Sequence, residues 1–388
     1  MKVLLLVIFG LISFFVTAQT FGWDSNVYLP GLGRDDAVCF TVNKVVYVGT
    51  GNHSGFSESN TFYGYDTRTG NWVDVTSFPG IPRQYATVAV VGSFAYLIGG
   101  LDQNLNPSKE VWQFDPSENS WIQLDDFPAA ARWQAVAFVC NDQLYYGTGR
   151  NWEYSFNDFW QFNPKNQQWK QLADVPILPR HEAVGFALYE EGYIGLGRDC
   201  TWVLQDDFWK YQPTTNSWEF ETFFPAGERF YATAAAMNGW AFIGTGEDAG
   251  GVIKKDFWRY DPATEVWEEM EPLPEPARRG VAACTVPFHG IYLACGLSDS
   301  FDRLTEVSRY TYRHEQNSTI EVLYHDQEKK VYISNFPHFS TVRILNMNGQ
   351  LIYEGGQETD HLSVNTSLWK KAVYIVWVNQ EAVKFMVR

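Results

Sequence analysis

An all-β chain of four-stranded repeats closed on itself is the fold class the sequence predicts, and three ladders of one period predict it. Tryptophans stand at Trp23, Trp72, Trp121, Trp169, Trp218 and Trp267, separated by 48 or 49 residues. Arginines keep the same beat at Arg34, Arg83, Arg132, Arg180, Arg229 and Arg278, and so do the glycines Gly51, Gly100, Gly149, Gly197, Gly246 and Gly296 that end an apolar run. A four-stranded sheet can bury its faces only against neighbouring sheets, so such units must stack radially and close.

The order within a unit is constant. An arginine opens an apolar stretch such as Gln134-Ala135-Val136-Ala137-Phe138-Val139, and a second run follows a turn and ends in glycine, as in Tyr96-Leu97-Ile98-Gly99-Gly100. A polar loop leads to an aromatic strand, Asp158-Phe159-Trp160-Gln161-Phe162, then a turn at Asn163-Pro164 and a short strand that carries the periodic tryptophan. Aromatic residues make up 17% of the 388, with 16 Trp, 21 Tyr and 28 Phe, which suits pleated, half-buried surfaces better than solvated helices.

The paired glycines, the spaced aromatics and runs such as Asp256-Phe257-Trp258-Arg259-Tyr260-Asp261-Pro262 resemble the kelch superfamily over roughly residues 21 to 314. The resemblance implies a kelch-type β-propeller, and the three ladders count six blades. Gly49-Thr50-Gly51, Gly147-Thr148-Gly149 and Gly195-Leu196-Gly197 depart from a strict Gly-Gly pair. The sixth unit has Arg278 and Gly296 but only Gln316-Asn317 where its tryptophan should stand, while Trp23 precedes the first unit. The strand around Trp23 is therefore expected to complete the last blade, which removes an open sheet edge. The propeller is assigned to residues 19–315.

Residues 1–18 read as a signal peptide. Lys2 precedes an apolar run from Val3 to Val16, and Val16-Thr17-Ala18 offers small residues for cleavage. The run is short for a spanning helix, and no later segment approaches one, so the mature chain is expected to be exported to the medium or the cell surface, with no transmembrane segment. From about Thr319 the period is lost. Strands are expected at Lys330-Val331-Tyr332-Ile333, Val342-Arg343-Ile344-Leu345, Ala372 to Val378 and Ala382 to Val387, with a hairpin turn at Asn348-Gly349. This β-rich, sandwich-like segment, assigned to 320–388, resembles the C-terminal sorting domain of type IX secretion cargo in the Bacteroidetes. The likeness rests on Val342 to Ile352, Ser363-Val364-Asn365, Leu368, Tyr374-Ile375-Val376 and Lys384 to Arg388. It implies secretion machinery as a partner.

Basic and acidic residues number 29 and 45, a formal charge of −16, which disfavours nucleic acid as a partner. The five cysteines, Cys39, Cys140, Cys200, Cys284 and Cys295, include no CxxC pair. Four lie in apolar runs and read as small buried hydrophobes. Cys284 and Cys295 flank a turn at Phe288-His289-Gly290, which leaves one local disulfide open.

Binding in a propeller falls on the loops around the central channel. The six arginines stand at the entry of the channel-lining strand, where their guanidinium groups either form a ring for a carboxylate or serve the repeat's own framework, the reading that exact repetition favours. Asymmetric positions carry more information. Directly after the arginines come Asp35, Gln84, Trp133, His181, Phe230 and Arg279, then Asp36, Tyr85, Gln134, Glu182, Tyr231 and Gly280. The loops past the glycines add His53, Asp102, Arg150, Trp152, Arg198, Glu247 and Asp299. The candidate rim is Trp133, Trp152, His181, Tyr231 and Glu247 beside the six arginines, with a glycan or protein as ligand. No catalytic residue, metal or cofactor is assigned. His181, Glu182 and Glu247 could form an acid–base set, as in a mutarotase or epimerase. A copper oxidase needs more histidines than His53, His181, His289 and His314 supply. No Ser-His-Asp elbow, phosphate loop or HExxH occurs.

Overall fold

In the computed structural model the chain is described at residues 20–24, 27–55, 57–287, 289–313, 321–325, 330–334, 341–346, 351–356, 361–367, 369–370, 372–378 and 381–387. The expected signal peptide and the Asn348-Gly349 turn lie outside these residues. Two compact units emerge, Phe21–Thr311 and a second from Tyr312 onward.

All regular elements of the first unit are strands. Its innermost strands are Val38–Val42, Thr87–Val91, Val136–Cys140, Val184–Leu188, Thr233–Met237 and Ala282–Val286, each the first of an antiparallel sheet. In the third sheet Val136–Cys140 pairs with Gln143–Gly147, that with Phe159–Asn163, and that with Gln168–Gln171. Two-residue turns join the first pair of strands, with both residues left-handed at Asn43-Lys44, Asn141-Asp142 and Tyr189-Glu190. That is the turn geometry whose twist matches a hairpin. In the sixth sheet Ala282–Val286, Gly290–Ala294 and Glu306–Arg313 are followed by Thr20–Trp23 as the outermost strand, from the opposite end of the sequence.

Apolar clusters fill the six seams between successive sheets. Between sheets two and three, Val91, Tyr96 and Ile98 meet Leu144, Tyr146 and Phe162. At the seam of sheets six and one, Cys284, Val286, Tyr292 and Ala294 meet Cys39, Val46 and Val48. The periodic tryptophans reach back to the preceding sheet: Trp121 Nε1 donates to the Thr76 carbonyl (3.2 Å), Trp218 to Ala173 (3.1 Å) and Trp23 to Glu271 (2.9 Å). Trp23 thus does in the sixth sheet what Trp121 and Trp218 do in theirs.

The glycine ladder has one cause. Gly51, Gly100, Gly149, Gly197, Gly246 and Gly296 all have φ between +83° and +109°, and a Cβ at Gly149 would lie 2.8 Å from the Trp133 carbonyl oxygen. The residue before each is also left-handed, which Thr50 and Thr148 adopt as Gly99 does. The strict glycine pair is therefore dispensable at its first position.

The second unit holds two antiparallel sheets. Glu321–His325, Lys330–Ser334 and His361–Asn365 form one; Leu351–Gly356, Thr341–Asn346, Ala372–Val378 and Glu381–Val387 form the other. Val331, Ile333, Val342, Ile344, Leu362 and Val364 are buried.

Candidate functional site

The six ladder arginines are 0–2% exposed. Arg132 Nη1 donates to the Thr148 carbonyl (3.1 Å), and Nη1 and Nη2 grip the Asp158 carboxylate at 2.5 and 2.9 Å. Arg229 does the same with the Thr245 carbonyl and Asp256, while Arg180 meets Asp207, Arg83 meets Glu110 and Arg278 approaches Glu306. The same carboxylates accept the indole N–H two residues on, from Trp112, Trp160, Trp209 and Trp258. This is what the recurring Asp-Phe-Trp is for: an aspartate that satisfies a buried arginine and a tryptophan at once. The arginines hold each sheet to its own loop, so the framework reading describes them, and they present no open ring to a ligand.

The channel mouth is built by the residue two places after each arginine. Asp36, Tyr85, Gln134, Glu182, Tyr231 and Gly280 all adopt left-handed backbone, φ 52° to 61°. Their amides run from sheet to sheet: Asp36 N–H to the Gly280 carbonyl (3.0 Å), Tyr85 to Asp36 (3.1 Å), Gln134 to Tyr85 (3.1 Å) and Gly280 to Tyr231 (3.2 Å). Five non-glycine residues in this region carry a conformational cost that the inter-sheet bonds offset. The result is a cavity of about 190 Å³ into which two acids, two tyrosines and an amide converge. The rest of its lining is small and apolar, from Ala37, Ala86, Ala135, Ala183, Ala232 and Val281.

Gln134 Nε2 donates to Glu182 Oε1 (3.2 Å) and to the Tyr231 hydroxyl (2.9 Å), and Tyr231 donates to the Tyr85 hydroxyl (3.2 Å). The Tyr85 and Tyr231 rings stack at 5.9 Å. Confinement in the mouth pushes the Asp36 carboxyl well above the usual carboxylate range, and neighbouring Asp35 adds repulsion. Burial likewise raises Glu182, against the pull of Arg198, Arg150 and Arg279. Both tyrosine hydroxyls are pushed up by burial as well.

Three arginines that are not part of the ladder surround this mouth. Arg198 Nε lies 3.4 Å from Glu182 Oε2, with its guanidinium 3.9 Å from the centre of the Phe230 ring. Arg279 lies over Tyr231 and pairs with Glu247 at 3.0 Å. Arg150 sits between Trp133 (5.4 Å) and Trp202 (4.7 Å) and has no carboxylate partner among the described residues. Cations held over aromatic faces are positioned without being neutralised.

Of the predicted rim, Tyr231 is in the mouth, Glu247 beside it, and Trp152 exposed (57%) with its ring 4.9 Å from the buried Trp133. His181 is buried rather than on the rim: Nδ1 faces Ser155 Oγ (3.1 Å) and the ring edge meets Trp202. Burial first, then Arg150 and Arg198, push its pKa down to about 3, so it is neutral. Trp202, also 57% exposed, and Arg303, which pairs with Asp35 at 2.7 Å, were not singled out from sequence. The signal for Trp202 was a tryptophan off the ladder in a polar loop. The local Cys284–Cys295 pairing does not form: Cys284 stands opposite Tyr292 in the hairpin and faces Cys39 instead. Among the described residues no group of three or more His, Cys, Asp or Glu side chains is placed to hold a metal, and no helix is long and apolar enough to cross a membrane.

Residues 28–184 match the family model of the KLHDC2/KLHL20/DRC7 Kelch-repeats domain. Over those residues the chain is similar to kelch repeats, and its fold is a β-propeller. The solved structure of YjhT is similar to this propeller with a TM-score of 0.62 at 16% identity, covering 74% of this chain and 99% of that one. At that identity the likeness concerns the fold alone. No curated protein matches the sequence. What the propeller binds must therefore be argued from its mouth.

Proposed function

We propose that this propeller is an exported binding module whose channel mouth takes an acidic sugar. The observation that carries this reading is Arg150, held between Trp133 and Trp202 with no carboxylate partner among the described residues. Arg198 and Arg279 stand on the same side of Glu182 in electrostatic terms, since all three arginines lower its pKa. A guanidinium with free donors suits a carboxylate, the aromatic walls suit the apolar face of a sugar ring, and Gln134 and the two tyrosines offer hydroxyl partners. Export rests on the leader-like residues 1–18, and delivery to the cell surface on the sorting-like strands of the second unit, which would engage secretion machinery.

Titration calorimetry with glucuronate and glucose tests the ligand class. Binding of the acid alone, lost in Arg150→Ala with thermal stability kept, supports the reading; equal binding of both sugars, or of neither, sends the search to protein ligands.

A second reading, a mutarotase-type enzyme on the same site, is favoured by the raised carboxyl of Glu182 hydrogen-bonded to Gln134. A carboxyl that burial raises is easier to protonate and can pass a proton to and from a bound sugar. Faster exchange between the anomers of a bound sugar acid, seen by NMR and abolished in Glu182→Gln, would decide for it.

A further inference from the structure

Cys39 and Cys284 are 245 positions apart in sequence, yet their sulfurs lie 2.7 Å from each other. Cys39 is on the innermost strand of the first sheet, Val38–Val42, and Cys284 on that of the sixth, Ala282–Val286. Both are buried in the apolar cluster at that seam and are free thiols, and the Thr41 hydroxyl also reaches Cys284 Sγ at 3.3 Å. A covalent S–S bond is about 2.05 Å. The sulfurs already lie closer than two unbonded sulfurs in van der Waals contact would. Cys140 belongs to the core of the third and fourth sheets, Cys200 is exposed, and Cys295 falls on the left-handed position before Gly296.

We propose that Cys39 and Cys284 form a disulfide that locks the first sheet of the ring to the last. The oxidant is a disulfide, either oxidised glutathione or an oxidised dithiol oxidoreductase of an export compartment. One cysteine thiolate attacks the oxidant, forming a mixed disulfide and releasing one thiol. The second thiolate then attacks the cysteine sulfur of that mixed disulfide and releases the other thiol. Two protons and two electrons pass from the protein to the oxidant. Burial holds the Cys39 thiol well above its ordinary pKa in the folded ring, so the bond forms while the sixth sheet is docking, when both sulfurs are still open to exchange.

The seam is the place where a cross-link does most. The chain ties the sixth sheet to the first only through the terminal strand Thr20–Trp23, which hydrogen bonds and packing alone hold in the sixth sheet. A bond across this seam closes nearly the whole ring sequence into one loop and restricts the unfolded chain accordingly. It acts beside the strand Thr20–Trp23, which joins the same sheet without a covalent link.

The full chain folded in a glutathione redox mixture, alkylated and digested without reductant, gives the test by peptide mass spectrometry. The expected result is a Cys39–Cys284 linked peptide lighter by two hydrogens than the sum of its parts, with Cys140, Cys200 and Cys295 alkylated. Its thermal midpoint should fall on adding reductant, and Cys39→Ser should fold without that dependence. Alkylation of all five cysteines, or Cys284 linked to any other partner, overturns the proposal. The mapping of the unsubstituted chain decides even if Cys39→Ser fails to fold.

Discussion

Arg34 Nη2 donates a 3.0 Å hydrogen bond to the Thr61 hydroxyl, at the place where each of the other five ladder arginines meets a carboxylate. The first sheet thus buries a guanidinium with a neutral partner, and burial lowers the Arg34 pKa. Thr61→Asp restores the arrangement of the other sheets. A charge-assisted bond to a buried arginine should raise stability by about 1–2 kcal/mol. Urea unfolding at an unchanged slope measures it; a variant no more stable than the parent would mean that Tyr63, which lies 5.3 Å from Arg34, has replaced the carboxylate's role.

The framework and mouth arginines should part in their energetics. Arg229 is buried and grips Asp256 through two bonds, at 2.7 and 2.9 Å. Arg229→Ala leaves Asp256 with the Trp258 indole N–H but no cation, takes the guanidinium from the Thr245 carbonyl, and should cost about 3–5 kcal/mol. Arg150→Ala removes a partly exposed guanidinium from two indole faces, a change of about 1 kcal/mol, while abolishing sugar-acid binding. Denaturant curves and calorimetry on both variants make the comparison. Similar stability losses in the two would deny that the sites differ in kind.

How far the sequence reached follows from what each residue depends on. Trp23, Trp72 and their fellows, the arginines and the glycines repeat because each serves contacts local to one unit and its neighbour, so their spacing is legible. The partner of Arg132 was visible too, as Asp158 in Asp-Phe-Trp, but only the fold joins the two across 26 positions. Asp36, Tyr85, Gln134, Glu182 and Tyr231 were legible as breaks in the symmetry. Their convergence was not, because it needs the left-handed turn of each and the cyclic register of all six sheets. Cys39 facing Cys284 depends on ring closure and carries no local signal.

His181 should make the protein sensitive to mild acid. Folded, it is neutral with its pKa pushed down to about 3; in the unfolded chain it titrates near 6.5. Below 6.5 the unfolded chain takes up a proton that the folded chain refuses, so stability is full above that pH and falls toward 3, by up to about 1.4 kcal/mol per pH unit. His181→Gln removes this term. Urea unfolding between pH 7 and pH 5 should show a shallower decline in the variant, the remainder coming in part from His289, which is pushed down to about 4 by burial and Arg309. An identical slope in both proteins would mean that His181 is already charged in the fold.

Trp23 tests how much the terminal strand contributes. It is buried against Phe257 and Tyr310, ring centres 5.2 and 4.8 Å away, and its indole N–H bonds the Glu271 carbonyl of the fifth sheet. Trp23→Ala deletes a large core side chain and that bond, so a loss of about 3–5 kcal/mol is expected. The damage should be local before it is global. With Thr20–Trp23 released, Ser308 to Arg313 loses its neighbour on that side, while Glu306 and Val307 keep their pairing with Tyr28 and Val27. Hydrogen exchange should therefore quicken from Ser308 to Arg313 while Phe159–Asn163, three sheets away, keeps its protection. Uniform quickening across all six sheets would show instead that the ring opens as one cooperative unit, and that the terminal strand holds the whole fold rather than one seam.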